Sequence, residues 1–352
     1  MKYLLLFLLI LIFLSCSNFN KNKDAKNSQS EVLFYSDYII EGRKLAKAKN
    51  YKGAATKFTY AFRENPNHVQ SSHIVDAAYY WMLADEVDSA FLQLNTFISD
   101  TDYVMKKITD LTKDRRLSPL QKYPMWKTVI DGMKRNRNRK FPNINSELAD
   151  QLDEILYQDQ YYRKMIDNME SKYGKNSTEI KNFNKHGYTQ DSINLKKVLS
   201  IIDKYGWLGA EEVGYDGNTA LFLVIQHADS ATQRKYLPLL RDAAKKGKAS
   251  SEDLSFLEDR VAIDQGKRQI YGSQIGYDPI LKQMIVLPLE DPINVDKRRA
   301  SVGLQTMSDY LMHWNLLWDA KSYEQNLPYY EQNMKSIQKK YDSLNILKMK
   351  LE

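Results

Sequence analysis

The sequence contains one cysteine, Cys16, in 352 residues. If that thiol is used elsewhere, no disulfide, zinc–thiolate site or cysteine nucleophile can form, and the fold must be held by its apolar cores. Also missing are His-Glu-x-x-His, Gly-x-Ser-x-Gly, Gly-x-x-x-x-Gly-Lys and Gly-x-Gly-x-x-Gly, which removes the motif-based arguments for a zinc protease, a serine-elbow hydrolase, a phosphate loop or a dinucleotide fold. Besides His227, the histidines are His68, His73, His186 and His313, and none has a partner at metal-ligand spacing. No metal and no cofactor are therefore expected. Charge of one sign is lacking as well. Lysine and arginine (51) are scattered among nearly as many acids (44), so the net +7 describes a solvated surface and not a nucleic-acid footprint. One basic run stands out, Lys134-Arg135-Asn136-Arg137-Asn138-Arg139-Lys140. It reads as an exposed helix end and linker, or as a contact for anionic lipid or glycan.

The apolar stretch Tyr3–Leu14, preceded by Lys2, has about a dozen residues where a spanning helix needs about 20. It fits the core of a signal peptide over residues 1–15. Phe13-Leu14-Ser15-Cys16 resembles the lipobox of bacterial lipoproteins, in which the cysteine is lipidated and becomes the first residue. An uncleaved anchor or an ordinary secretory signal is the alternative. The resemblance implies a membrane-bound protein of the cell envelope. Ser17 after the cysteine resembles proteins sorted to the outer membrane, here facing the periplasm. Ser17–Ser30, polar and poor in apolar residues, reads as a flexible tether of about 20 Å reach.

Residues 31–140 read as paired helices. Gly42, Ala54, Phe58, Ala61 and Pro66 resemble a tetratricopeptide repeat: small residues where two helices approach, one large residue between them, and a proline closing the unit. Ala78, Trp81, Ala90, Leu94 and Phe97 form a weaker second unit, and residues 101–134 form a closing pair joined at Leu117-Ser118-Pro119-Leu120. The resemblance implies a groove for a protein or peptide partner; the alternative is a helical spacer.

Phe141-Pro142-Asn143 is expected to separate this region from a second domain over residues 144–318, with an amphipathic helix at 320–352. That helix either packs on its own domain or mediates self-association. Leu148, Leu152, Ile155, Tyr162, Ile166 and Met169 keep a helical period that Gly174 ends, and helices follow over residues 192–204, 232–246 and 251–264. Gly209, Gly214 and Gly217 suggest a loop. Ala220–Ile225 is apolar on every side and should be buried all round, yet it runs straight into Gln226-His227-Ala228-Asp229. Near residues 268–287 the period becomes two, which predicts a small β-hairpin with arms at 268–274 and 283–287. The expected fold is mainly α: tetratricopeptide-like helical hairpins, then a helical domain with that hairpin.

Asp159-Gln160 with Arg163, Trp207, Gln226-His227-Ala228-Asp229, Asp259-Arg260, Gln269 with Tyr271-Gly272-Ser273-Gln274, and Asp296 with Arg298-Arg299 together resemble a bacterial domain family of unknown function, over about residues 148–311. The resemblance implies a fold but no chemistry. From the residues themselves, His227 is the acid–base candidate, with Asp229 or Asp159 as orienting partner and Gln274 as a polarising donor. Gln226, Gln269 and Tyr271 are candidates to line the same interior. The structural alternative is that Gln226, His227 and Asp229 cap their helix and bond to the hairpin. Arg163, Arg260, Arg298 and Arg299 could clamp an acidic group, or be neutralised by Asp159, Asp259 and Asp296. Paired carboxylates for glycoside cleavage stay open, since acids are spread throughout. Two functions are expected from these readings. One is a binding or docking module in the envelope that recognises a peptide, small molecule or envelope ligand; the other is an envelope hydrolase working through Gln226, His227 and Asp229.

Overall fold

The computed structural model describes residues 25–99, 108–278 and 280–349, with side chains between 34 and 334. The signal segment and Cys16 lie outside the described residues. Among the described residues the chain is mainly helical with one two-stranded antiparallel hairpin, and no helix is long and apolar enough to cross a membrane.

Two compact units divide at 157/158, with Glu211–Asp216 joining the first. In the first unit, α1 (Ala25–Lys47), α2 (Tyr51–Glu64), α3 (Ser71–Leu83) and α4 (Val87–Leu94) pack each on the next. The segment read as a tether is thus helical from Ala25, where α1 begins. Gly42 lets α1 and α2 meet closely: a Cβ there would come within 2.7 Å of the Phe58 ring, itself fully buried. Ala54 and Ala61 are buried in α2, and Pro66 opens a short 3-10 turn after it. His73 ties α3 back to α1. Its Nε2 lies 3.1 Å from an Arg43 nitrogen, which can only donate, so Nδ1 carries the proton and faces the Tyr35 hydroxyl at 2.8 Å. Burial, and then the Arg43 charge, pushes the His73 pKa down.

Next come α5 (Thr96–Ser99), α6 (Ile108–Thr112) and α7 (Pro124–Lys140), whose Trp126, Val129 and Met133 join a core with Ile74, Phe91, Leu94, Leu117 and Leu120. The basic run is only partly a solvated helix end. Asn136 and Arg137 are buried: the Asn136 amide donates to the Ile98 carbonyl, and Arg137 pairs with Asp150 at 2.8 Å and Asp153 at 3.2 Å. These bridges bind α7 to the start of α8 (Ser146–Tyr173) across Phe141-Pro142-Asn143. The chain break expected to form a domain boundary is therefore internal to the first unit. The Asn145 amide donates to the Glu212 carbonyl, and Phe141 meets Tyr215 edge-on.

The second unit begins within α8 and continues through α9 (Thr178–Tyr205), α10 (Ala210–His227), α11 (Ser230–Lys245) and α12 (Ser251–Asp264). α9 is longer than expected. Its buried stripe includes Ile180, Gly187, Asn194, Val198 and Ile201, and the glycine and asparagine hide the apolar period. Where a loop was expected around Gly214, α10 has only a break, with Gly214 at φ 73°. Ala220 to Ile225 are buried on every side, as the pattern requires.

The hairpin is β1 (Ile275–Asp278) paired with β2 (Gln283–Val286), Ile275 opposite Val286 and Asp278 opposite Gln283. Its first arm therefore starts later than the alternation suggested, and Tyr277 and Asp278, expected in the connection, belong to it. Residues 270–273 form a clamped loop instead, since the amides of Ile270, Tyr271 and Ser273 bond to the Asp259 carboxylate, while Gln269 makes only an isolated bridge with Leu289. After α13 (Val295–Ser301) and α14 (Met307–Met312), α15 (Ala320–Met349) packs Tyr323 and Leu327 into a core with Ile275, Val286, Leu289, Val295, Met307 and Leu311.

Candidate functional site

The polar residues singled out in the second half divide into two groups with different work. The larger group is scaffold. Asp259, fully buried on α12, accepts the amides of Ile270, Tyr271 and Ser273 at 2.6, 3.0 and 2.9 Å. Burial raises its pKa, and those three donors oppose the rise. Gln269 closes the same loop: its Oε1 accepts the Gln274 amide at 2.7 Å, and its Nε2 donates to the carbonyls of Gln274 and Leu287. Arg298 donates to the carbonyls of Ile270, Glu290 and Asp291 and pairs with Asp291. Arg299 is buried under the Tyr310 ring at 4.8 Å and donates to the Tyr271 and Gln305 carbonyls. Neither arginine meets the carboxylate that charge pairing suggested, because Asp296 accepts the Met307 amide and Asp259 is spent on the loop. The role of Tyr271 here is carried by its backbone.

Asp229 also has a structural role. It is the N-cap of α11 and accepts the Thr232 amide at 2.7 Å, so it does not orient His227. Gln274 does not act as a polarising donor to His227 either: its Nε2 donates to Ser273 and its Oε1 accepts from Arg260. Arg260 donates in turn to the Gln226 carbonyl at 2.9 Å, where Gln233 also donates.

The second group is built on Asp159. Projecting from α8, it accepts from His227 Nδ1 at 3.0 Å and from Gln160 at 2.8 Å. Arg163, one turn on, lies 3.4 Å from the same carboxylate and forks onto Asp191 of α9 with two bonds of 3.0 Å. Burial opposes the charge on Asp159, but His227 and Arg163 outweigh it and hold its pKa below the usual carboxylate range. At His227 burial acts first and lowers the pKa; Asp159 opposes this, while Arg163 and Arg260 add to it. The stable arrangement near neutral pH is an ionised Asp159 facing a neutral imidazole whose proton sits on Nδ1. Nε2 then offers a lone pair. Among the described residues it has no hydrogen-bond partner, and the His227 side chain keeps 10% of its exposure.

Beside it, Gln226 is 0% exposed, and among the described residues neither its amide nitrogen nor its amide oxygen has a hydrogen-bond partner. An unmet buried polar group costs about 1–3 kcal/mol. Replacing Gln226 with methionine, close in shape and without those groups, is therefore expected to raise the unfolding free energy by about 1–3 kcal/mol. Denaturant titration measures this, and a destabilised variant would show that the amide is paired in solution.

Sequence reasoning missed Asp191, Gln233 and the pair Gln190–Asn194, joined at 2.9 Å. Asp191 lies 28 residues from Arg163 and carried no local signal. Among the described residues no cluster of His, Cys, Asp and Glu could hold a metal ion.

A model for the Family of unknown function (DUF6624) matches residues 147–324. No curated protein and no solved structure matches.

Proposed function

The chain belongs to the Family of unknown function (DUF6624), and from that premise we propose that it is a lipid-anchored binding module of the cell envelope. In this reading Cys16 carries the lipid, the tetratricopeptide-like helices dock a protein or peptide partner, and the family domain recognises a ligand at His227. The leaflet is the outer membrane's periplasmic face. The close approach at Gly42 and Phe58 supports the repeat reading, and the resemblance around Cys16 supports the anchor.

The observation that carries the ligand-binding reading is the Asp159–His227 pair, with Nδ1 held and Nε2 unpartnered among the described residues, next to an amide buried at a cost. Destabilising polar groups persist where function requires them. A bound ligand would donate a hydrogen bond to Nε2, and Asp159 would keep that acceptor directed. The test passes a small-molecule and glycan extract of the envelope over the immobilised full chain and over His227→Gln and Asp159→Asn. A component retained by the parent and lost by both variants is the expected result. Equal retention by all three would remove His227 from recognition.

A second reading has one observation in its favour. A carboxylate-oriented imidazole with a free Nε2 is also the geometry of a general base that activates water for hydrolysis. Two features weigh against it. Gln269 and Gln274 have their donors committed elsewhere, and the hydroxyl of nearby Ser230 donates to Asp264 at 2.5 Å. If the retained component returns unchanged in mass, binding holds; if it returns cleaved by the parent and intact from His227→Gln, hydrolysis does.

A further inference from the structure

The outer edge of the hairpin forms a second site that shares no residue with the polar cluster. We infer that it takes an extended peptide carrying one apolar side chain next to a basic one. Three observations support this.

The first is a free strand edge. The Leu287 amide donates to the Gln274 carbonyl at 3.1 Å, and the register sets these two residues opposite each other. Hydrogen-bonded and non-bonded pairs alternate along an antiparallel ladder. Gly276 and Ile285 are then a bonded pair, while Met284 and Val286 turn their backbone groups away from β1. The Tyr323 hydroxyl donates to the Leu287 carbonyl at 2.8 Å and also lies 3.3 Å from the Val286 carbonyl. The amide and carbonyl of Met284 are left to pair with another strand.

The second observation is a cleft of about 150 Å³ along that edge, lined by Met284, Leu316, Leu317, Trp318 and Tyr323 among others. A space of this size admits a group such as a benzene ring. Trp318, Tyr323 and Tyr330 meet ring to ring at 5.1 Å, and Leu317 at the cleft is 100% exposed. The third is charge. Among the described residues lining the cleft, Asp319 alone is charged. Its Oδ1 accepts the amides of Lys321 and Ser322 at 3.0 and 3.1 Å, which leaves Oδ2 for a cation. Met284 of the strand edge, the aromatic side chains and the carboxylate of Asp319 all line this one cleft.

The test uses the purified full chain and the dye-labelled peptide acetyl-Thr-Lys-Phe-Lys-Thr-amide, read by fluorescence polarisation. Saturable binding is expected. It should weaken about tenfold or more when the phenylalanine becomes serine, when the lysines become glutamates, or when the peptide backbone is N-methylated. On the protein side, Met284→Pro removes the edge amide, and Leu317→Arg alters a fully exposed residue without touching the core; each should weaken binding to a similar degree. The inference is overturned if the peptide does not bind, if the N-methylated peptide binds equally well, or if benzylammonium alone binds as tightly. Concentration-dependent dimerisation that Leu317→Arg abolishes would overturn it in favour of a second copy of the chain.

Discussion

Asp259→Ala is expected to lower stability by about 3 kcal/mol or more, since it strands three amides at about 1–3 kcal/mol each. The carboxylate is fully buried, and Ile270, Tyr271 and Ser273 all donate to it. Removing it also frees the segment that Gln269, Arg298 and Arg299 hold from other sides, since their acceptors are carbonyls of Ile270, Tyr271 and Gln274. Asp259→Asn should cost less, because one amide oxygen can still accept while the amide nitrogen confronts donors. Urea unfolding followed by circular dichroism measures both. A loss under about 1 kcal/mol for the alanine variant would mean that water replaces the carboxylate and that the loop is not clamped.

Asp159→Ala is expected to cost about 1–3 kcal/mol, the usual penalty for a buried donor left without its acceptor. His227 Nδ1 loses its acceptor, and Arg163 keeps only Asp191. The pH dependence follows from the directions of the pKa shifts. Asp159 is depressed in the folded state, so its contribution is complete above the ordinary aspartate value near 3.9 and is lost as pH falls through the lower folded one. His227 and His73 are also depressed, so the unfolded chain binds more protons on the acid side. Their contribution is complete above about 6.5 and is lost as pH falls through their folded values. These contributions should be lost in two stages on acidification, the histidines first and Asp159 later, while Asp253, whose pKa burial raises to about 7, stabilises the folded chain as pH falls through that value and offsets the first stage. In His227→Gln the first stage should shrink to what His73 supplies.

Much of the architecture could be read from the residues, because it rests on local patterns. The apolar run of α10, the period of α8, and the cap and length of α12 are each written within one segment. What could not be read depends on distant partners. Residues 269–274 alternate like a strand, but the amides of Ile270, Tyr271 and Ser273 are taken by a carboxylate on the preceding helix. The stripe of α9 passes through Gly187, which packs against Tyr162, and Asn194, so no apolar period marks it. Phe141-Pro142-Asn143 breaks the chain locally, yet Arg137 bridges the break to Asp150 and Asp153.

The candidate site divides in the same way. That the segment after α10 needed polar partners followed from its setting beside a buried helix. Which acid would orient His227 did not. The role of Asp229 was legible in hindsight, since an aspartate three residues before Thr232 at a helix start is a capping pattern. Asp159 lies 68 residues from His227, a separation only the fold brings to 3.0 Å.

Nitrogen-15 NMR of the His227 ring in the folded chain, followed through a pH titration, tests the account most directly. It should find the proton on Nδ1, an unprotonated Nε2, and a midpoint below the ordinary histidine value near 6.5. The Nδ1 preference should vanish in Asp159→Asn. A proton on Nε2, or a midpoint above that value, would mean that His227 offers no acceptor and that its pairing with Asp159 serves the fold alone.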